Sequence, residues 1–417
     1  MESHSGGWLR VSEFELLWLR RSVRLPSWGR ILLHLDGCDW ECTVFLNGKS
    51  LGPPHRGAYD PFSFELPQDG TEVEIVIRVW DPTDSGCEYK VDEQPRCNRC
   101  CQSGWQPRGK QSLQPGFIMY SAATGPWQSV WLEEVPSGCL IQSAEAKLLE
   151  LPARNLEIGN VHFQVQLALH KACEFQTKLS VDAVSLRGQS LTTSRSASVD
   201  GPAVQMEVTP LELWSPEKPT MYAAELSLCA PDAATCDYVT YHFALRWLSK
   251  SQSTGPKEEV ALLLNGQPLL QTGVLYQGYW PESLIALPGP QALEELKEIK
   301  AMGFNLVRVH AAVMPAAFYH FCDKEGLLVW QDFPAGDGRA LPLWDAARGV
   351  LEQKGSVNPL EMDEIQRTEE SEENFWKELQ AVVSWLRPFA SIVCWIPFNE
   401  AWGQFQSMQV VQWLRQF

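Results

Sequence analysis

Several features are scarce or missing in this chain of 417 residues. No run of about 18 or more predominantly apolar residues occurs, which argues against a membrane-spanning helix. The N-terminus, MESHSGGWLR, lacks a basic start followed by an apolar segment, so it does not resemble a secretory signal. Asn-X-Ser/Thr is absent and the twelve Cys are scattered. We therefore expect a soluble protein in a reducing, cytoplasmic setting if Met1 is the true start, although a leader lost with an incomplete N-terminus would leave the compartment unknown.

Positive charge is also scarce, because 34 Lys and Arg accompany 51 Asp and Glu and give a formal net charge of -17. A polyanionic surface repels phosphate, so nucleic acid and anionic membranes are unsuitable partners and an uncharged ligand fits better. The length and the 45% of hydrophobic residues allow two or three globular domains. The eighteen Trp are expected mainly to fill cores, and some can stack on the apolar face of a ligand.

Residues 1–137 have the pattern of an all-β unit. Short runs of strand-forming residues are separated by turn signals, at Phe14–Val23, Ile31–Leu35, Thr43–Leu46 and Val73–Trp80. In the last run, apolar residues alternate with Glu74 and Arg78, as in a half-buried strand. Asn47-Gly48 indicates a tight turn. This pattern predicts a β-sandwich or jelly roll.

A second all-β unit is predicted over residues 138–248. Its strand-like runs are Val161–Leu169, Lys178–Leu186, Val204–Leu213 and Tyr222–Leu228. Short strands spaced in this way are typical of an immunoglobulin-like sandwich. His162 and His170 fall on the polar side of the first run, so we expect solvent-exposed side chains there and no ligand role.

Four cysteines interrupt the first unit in a polar segment: Cys87, Cys97, Cys100 and Cys101. Cys97-x-x-Cys100 could bind zinc if two further ligands completed a tetrahedron. No second well-spaced pair is present, so a plain loop insertion is the favoured interpretation and no metal or cofactor is expected.

A polar linker at residues 249–257 precedes a change of pattern, and from residue 256 to 417 strands alternate with helices. The predicted order is strand Leu270–Leu275, helix Gln291–Met302, strand Asn305–His310, helix Pro315–Glu325, strand Leu327–Asp332, helix Asn374–Arg387, strand Ile392–Ile396 and helix Phe405–Phe417. Four βα units of this kind predict the first half of an eight-unit (β/α)8 TIM barrel.

The last of these strands, IVCWI, runs into PFNEAWGQ, where Asn399 and Glu400 lie between Phe398 and Trp402. A carboxyl group among aromatic rings is poorly solvated, which raises its pKa and suits it to donate a proton near neutral pH. Glu400 is therefore the candidate general acid. The competing interpretation is that Asn-Glu only ends a strand and caps the next helix, and the local pattern alone does not separate the two.

In a parallel barrel the residues at the carboxyl ends of the strands face one mouth. This rule gathers aromatic residues after the first strand and polar residues after the others: Tyr276, Tyr279, Trp280, Arg308, His310, Asp332, Asn399 and Glu400. Taken singly, each has a structural explanation as an ion-pair partner, a core histidine or packing, but their convergence on one rim favours a site. The long loop 333–373 could act as a lid. Its acidic end is better interpreted as a solvated, mobile run.

Motifs along nearly the whole chain occur in an order that resembles a known family. They are VFLNGKSLG, GAYDPFSF, QPRGKQ and GPWQSVWLE in the first unit, LWSPEKP and FALR in the second, and LNGQPLLQTGV, GFNLVRVH, GLLVWQDFP and WIPFNEAWGQ in the third. The family is glycoside hydrolase family 2, which includes β-galactosidases, β-glucuronidases and β-mannosidases. The resemblance implies a sugar-binding jelly roll, an immunoglobulin-like sandwich and a catalytic barrel.

The resemblance also implies residue roles. Glu400 would be the acid/base and Asn399 would bind the sugar 2-hydroxyl, while His310 and Asp332 would line the sugar subsite. Arg308, Tyr279, Trp280 and Trp402 complete the expected substrate-binding set. Family members retain the anomeric configuration by using a second carboxylate as nucleophile, about 5 to 5.5 Å from the first. No residue of this chain matches that nucleophile.

The departures from the family suggest a chain truncated at both ends, because opening strands and the second half of the barrel are unmatched. The cysteine segment and Ala244, where the family more often has Gly, are smaller differences. Open sheet edges favour pairing with another chain, so a homo-oligomer is one expectation. The alternative to an enzyme is an inactive truncated isoform or pseudoenzyme that binds carbohydrate or assembles with another chain.

Overall fold

The structure of the protein, a computed structural model, describes residues 11–12, 15–25, 30–67, 72–83, 106–113, 115, 118–136, 140–148, 159–168, 178–185, 195–198, 203–208, 212–229, 236–251, 261–336, 367–399 and 403–416. Within these ranges, no helix is long and apolar enough to cross a membrane. The cysteine segment considered above for zinc or for a loop lies outside the described residues, as does His170.

The first group of strands is β1 Leu17–Arg24, β2 Arg30–Leu35, β3 Cys38–Asp39, β4 Glu41–Leu46, β5 Lys49–Ser50, β6 His55–Arg56, β7 Phe62–Leu66, β8 Glu72–Trp80, β9 Gln111–Ser112, β10 Tyr120–Ser121, β11 Gly125–Pro126 and β12 Val130–Val135. One sheet has the order β1-β8-β4-β5, with β6 on β4, and a second has the order β12-β2-β7. The shorter strands pair as β9 with β10 and β3 with β11.

Alternation explains how these two sheets share a core. On β8, Val73, Ile75, Ile77 and Val79 are buried while the residues between them are partly exposed, as the sequence predicts. They form one apolar cluster with residues of the other sheet, including Leu33. The predicted all-β organisation of this region is therefore confirmed.

The second group is β13 Leu140–Leu148, β14 Gly159–Ala168, β15 Lys178–Ser185, β16 Arg195–Ser198, β17 Ala203–Val208, β18 Tyr222–Cys229 and β19 Cys236–Phe243. The strands form two antiparallel sheets of order β13-β14-β17 and β16-β15-β18-β19. All four strand-like runs of the sequence are present as strands, and the run predicted from residue 204 ends at Val208.

A disulfide joins Cys229 and Cys236, which are cross-strand partners at the end of the β18–β19 hairpin. The reducing, cytoplasmic setting expected from the scattered cysteines stays a prediction.

A small antiparallel sheet connects the second group to the rest of the chain. It contains β20 Leu248–Lys250, β21 Leu262–Leu264 and β22 Gln267–Pro268. The prediction of a polar linker from residue 249 is thus wrong at its start, because Ser249 and Lys250 pair with β21. The Asn265-Gly266 turn stabilises this sheet, because the Asn265 side chain accepts a hydrogen bond from the Trp247 N–H at 3.0 Å.

The C-terminal part contains a parallel sheet with helices between its strands. The strands are β23 Gly273–Tyr276, β24 Leu306–Val309, β25 Leu328–Asp332 and β26 Ile392–Ile396, in that order across the sheet. The helices are a 3-10 turn Pro290–Leu293, α1 Glu294–Ala301, α2 Ala316–Glu325, α3 Glu369–Leu386 and α4 Ser407–Leu414. The predicted βα alternation is confirmed, with β23 beginning three residues later than expected.

Helix α3 corrects one prediction about the long loop. The acidic run was expected to be solvated and mobile, but Glu369 and the residues after it form the first turns of α3. Thr368 accepts a hydrogen bond from the Ser371 N–H at 3.3 Å and acts as the N-cap. Three Glu side chains lie in the first turn, where the positive end of the helix dipole stabilises negative charge. The acidic run therefore favours the start of the helix.

The first strand group and the parallel sheet share one continuous core. Trp40, Tyr59 and Trp127 from the N-terminal sandwich belong to the same buried cluster as Val307 of β24 and Phe375 of α3. The carboxyl ends of the parallel strands therefore lie against loops of the sandwich, and this arrangement positions the site described next.

Candidate active site

Asn399 lies at the centre of a polar network at the carboxyl ends of three neighbouring strands. Its Oδ1 atom accepts hydrogen bonds from Arg308 Nη2 at 2.8 Å and from His310 Nε2 at 3.1 Å. Because Oδ1 is occupied on both sides, the Nδ2 amide of Asn399 is left as the donor for a ligand. The contacts thus bring together four of the eight side chains that the sequence rule gathered on one rim: Arg308, His310, Asp332 and Asn399.

Arg308 and Asp332 form a bidentate ion pair below Asn399. The Arg308 Nε and Nη2 atoms donate to the two carboxylate oxygens of Asp332, each at 2.9 Å. The Ala311 N–H donates to the same carboxylate at 3.1 Å. Burial raises the pKa of Asp332, while the hydrogen bonds and charge of Arg308 act in the opposite direction. Asp332 therefore orients Arg308, and Arg308 in turn orients Asn399.

His310 connects this network to the sandwich. Burial and the positive charge of Lys110 both lower the pKa of His310, so the ring is neutral near pH 7. With the proton on Nε2, donated to Asn399, the Nδ1 atom carries a lone pair. Nδ1 is buried and has no hydrogen-bond partner among the described residues. It can accept a hydrogen bond from a ligand hydroxyl.

Two of the aromatic residues predicted for this rim, Tyr279 and Trp280, have different positions. Tyr279 stacks on Tyr120 of the sandwich, with ring centroids 4.2 Å apart. Trp280 packs against the core and its backbone pairs with Leu284, so its contacts fit a packing role. Glu400 and Trp402 lie outside the described residues, and their contacts with the network stay predictions.

The sandwich contributes residues to the site that the sequence did not predict as site residues, although Tyr59, Lys110 and Gln111 lie in the motifs GAYDPFSF and QPRGKQ. Tyr59, Lys110, Gln111 and Tyr120 line a recess together with His310 and other residues of the barrel rim. Gly109 makes this contact close: its N–H donates to Pro334 O at 3.2 Å, and an added Cβ would collide with Ala311 O. Spacing along the chain gave no signal for this convergence, because it depends on how two domains pack.

A buried hydrogen-bond network supports that side of the recess. Asp39 accepts from Gln106 at 3.0 Å and from Gln111 at 2.7 Å. Asp81 accepts from Gln106 at 3.1 Å and from the Thr124 hydroxyl at 2.8 Å. Burial raises the pKa of both carboxyl groups. The network fixes the QPRGKQ segment without placing Asp39 or Asp81 in the recess lining.

Arg367 binds the backbone of two described segments, near Ala335 and Gly403. Its Nη2 donates to Ala335 O at 2.7 Å and to Gly403 O at 2.9 Å. The guanidinium also lies over the rings of Phe375 and Phe405, at 5.0 and 4.7 Å from their centroids. Arg367 therefore links the segments that follow β25 and β26.

In the described ranges, no group of three or more His, Cys, Asp or Glu side chains is arranged to hold a metal ion.

Comparisons with known proteins show which glycosidases this chain is similar to. The profile of "Glycosyl hydrolases family 2" matches residues 144–246. A "Putative beta-glucuronidase" of Formosa agariphila is 24% identical over 313 residues, which is 72% of this chain and 32% of that protein. Residues 144–246 of this chain are thus similar to the glycosyl hydrolases of family 2.

Other similar proteins differ in the activity that they are named for. A "Beta-galactosidase" of Pseudoalteromonas haloplanktis is 30% identical over 142 residues, or 32% of this chain and 13% of that protein. The crystal structure of a β-glycosidase from Bacteroides vulgatus matches with a TM-score of 0.68 at 18% identity, over 96% of this chain and 44% of that one. The chain thus covers less than half of each relative, and at this identity the structural match shows the fold alone.

Proposed function

We propose that this chain carries part of the active site of a family 2 β-glycosidase that hydrolyses O-glycosyl bonds of carbohydrates. The observation that supports this most is the Arg308–Asp332–Asn399–His310 network, which ends one residue before Glu400. In this proposal, residues 1–137 form a jelly roll, 138–248 an immunoglobulin-like sandwich and 256–417 strands one to four of a TIM barrel. The relatives include proteins named for glucuronide and galactoside hydrolysis, so their names do not decide the sugar.

In this mechanism Asn399, His310 and Glu400 each have a defined task. The Asn399 Nδ2 amide donates to the 2-hydroxyl of the bound sugar, a contact that strengthens in the transition state. His310 Nδ1 accepts from a second sugar hydroxyl. Glu400 protonates the leaving-group oxygen and later deprotonates a water molecule. The attacking carboxylate of a retaining mechanism has no counterpart that we can match within these 417 residues.

A panel of aryl β-galactosides, β-glucuronides and β-mannosides tests this proposal on the 417-residue chain. We expect binding of at least one glycoside and turnover no faster than in Glu400→Gln. Asn399→Ala should weaken that binding roughly tenfold or more, because a hydrogen bond to a polar ligand group is lost and its partner is left unsatisfied. A chain that binds none of these glycosides would contradict the proposed function. Turnover well above the Glu400→Gln control would show that another carboxylate supplies the nucleophile.

A further inference from the structure

A series of buried hydrogen bonds joins helix α2 to strand β25 and to the segment that follows β24. The Tyr319 hydroxyl donates to Gln331 Oε1 at 2.7 Å and accepts from the Met314 N–H at 3.0 Å. Tyr319 is fully buried and Gln331 is 1% exposed. Burial raises the pKa of Tyr319, so its hydroxyl keeps the proton and remains a donor.

The Gln331 side chain extends this series to two backbone carbonyls. Its Nε2 amide donates to Ala312 O at 2.7 Å and to Asp332 O at 2.6 Å. Two acceptors on Nε2 and one donor on Oε1 fix the orientation of the carboxamide. Because side chains alternate along a strand, Gln331 and Asp332 point to opposite faces of β25. From one face of the sheet, Gln331 thus binds the backbone that carries site residues on the other face.

The segment after β24 needs such support. Ala311 has a φ of +49°, in the left-handed region that residues with a Cβ rarely adopt. Its N–H donates to the Asp332 carboxylate at 3.1 Å, and His310 immediately precedes it. A residue in this conformation persists only where surrounding contacts hold it. The hydrogen bonds at Ala312 O and at the Met314 N–H hold it from the C-terminal side.

We propose that Tyr319 is a positioning residue for sugar binding. It acts through Gln331 on the backbone of residues 311–314. That backbone sets the direction of the His310 ring, whose Nε2 atom donates to Asn399 Oδ1 at 3.1 Å. Tyr319 and Gln331 are buried and their polar atoms contact protein groups, so they affect a ligand only through this backbone. The inference rests on the proposed function, because it concerns the same site.

Removal of one hydroxyl group tests this inference. Tyr319→Phe keeps the ring and its contacts with Trp385 and Phe389. Dissociation constants of the aryl β-galactoside, β-glucuronide and β-mannoside are measured by calorimetric titration of the 417-residue chain. We expect Tyr319→Phe to weaken binding roughly fivefold to tenfold, because the hydrogen bond that His310 Nδ1 accepts from the sugar loses its alignment. Gln331→Met interrupts the same series and should weaken binding to a similar extent.

Tyr222→Phe is the matched control. Tyr222 is 1% exposed in β18, and its hydroxyl donates to Glu212 O and accepts from the Glu212 N–H, each at 2.8 Å. Both Tyr→Phe variants therefore lose one donated and one accepted hydrogen bond in a buried position. We expect similar losses of stability in urea unfolding, but weaker glycoside binding only in Tyr319→Phe.

A second measurement reports the position of His310 without a ligand. Nitrogen NMR spectra of the histidine-labelled chain at neutral pH show which ring nitrogen carries the proton, and His310→Gln assigns the signals. We expect one tautomer, protonated at Nε2, in the wild-type chain and in Tyr222→Phe, because Asn399 accepts from Nε2. Tyr319→Phe should give shifts averaged between both tautomers.

The outcomes distinguish this inference from the proposed function. Unchanged glycoside binding in Tyr319→Phe would contradict the positioning role and leave the glycosidase proposal intact. An equal loss of binding in Tyr222→Phe would also contradict it, since the effect would then follow from stability alone. A wild-type chain that binds none of the three glycosides would contradict the proposed function. The His310 spectra would then still show whether Tyr319 holds the ring.

Discussion

At the residue scale, the ion pair between Arg308 and Asp332 is the part of the site with the strongest energetic consequence. The Asp332 side chain is fully buried, whereas the Arg308 side chain is 27% exposed. Removing the arginine alone leaves a buried carboxylate without its charged partner. Removing both charges leaves a neutral pair, which costs much less.

Arg308→Met should therefore lower the free energy of unfolding by about 3 kcal/mol, and Asp332→Asn in the same chain should recover part of that loss. Urea unfolding of the two single variants and the double variant measures the coupling. Additive losses in the double variant would show that the two side chains do not stabilise each other.

Asp323 provides a pH-dependent test at the same scale. Burial raises its pKa to about 6 from a model-compound value of 3.8, although the N–H groups of Ser391 and Ala390 donate to its carboxylate at 2.7 and 3.3 Å. Because the folded chain holds this proton up to a higher pH than the unfolded chain, its contribution to stability is greatest below about pH 4. That contribution falls as the pH rises through about 6.

We expect the stability of the wild-type chain relative to Asp323→Asn to decrease by about 2 to 3 kcal/mol between pH 4 and pH 7. Urea unfolding midpoints at both pH values give this difference. A difference that is constant with pH would show that Asp323 titrates normally in the folded chain.

At the scale of elements, the start of α3 depends on a single cap. Thr368→Ala removes the acceptor for the Ser371 N–H, and we expect a loss of about 1 kcal/mol. Thr368→Ser keeps the hydroxyl and should be close to wild type. Hydrogen exchange of the first-turn amides reports the effect locally. Unchanged exchange in Thr368→Ala would mean that the packing of α3 fixes its start without the cap.

At the scale of the whole molecule, the shared core should couple the sandwich to the barrel sheet. Trp127 is 2% exposed, donates from its indole to Ala58 O at 2.8 Å and packs in the cluster that includes Val307. Trp127→Ala should destabilise the chain by about 3 to 5 kcal/mol. We expect faster hydrogen exchange in β24 as well as in the sandwich. Protection of β24 equal to that in wild type would show that the two parts unfold independently.

Sequence patterns were sufficient where a structure depends on local periodicity. Alternation predicted β8, and the apolar positions of the helix expected from residue 374 predicted the buried face of α3. They failed where a competing local interaction decided the outcome. The acidic run forms the first turns of α3 because Thr368 caps the N-terminus of this helix. Ser249 belongs to strand β20 because it pairs with Leu263 of β21.

The sequence by itself determined the order of strands and helices and the side chains that end each parallel strand, because both follow from periods of two and 3.6 residues. It therefore identified Arg308, His310, Asp332 and Asn399 as neighbours. Only the tertiary structure decided that Lys110 and His310 line the same recess, since it brings together residues 200 positions apart through the packing of two domains. Contacts of this kind depend on shape complementarity between surfaces, which no local pattern encodes.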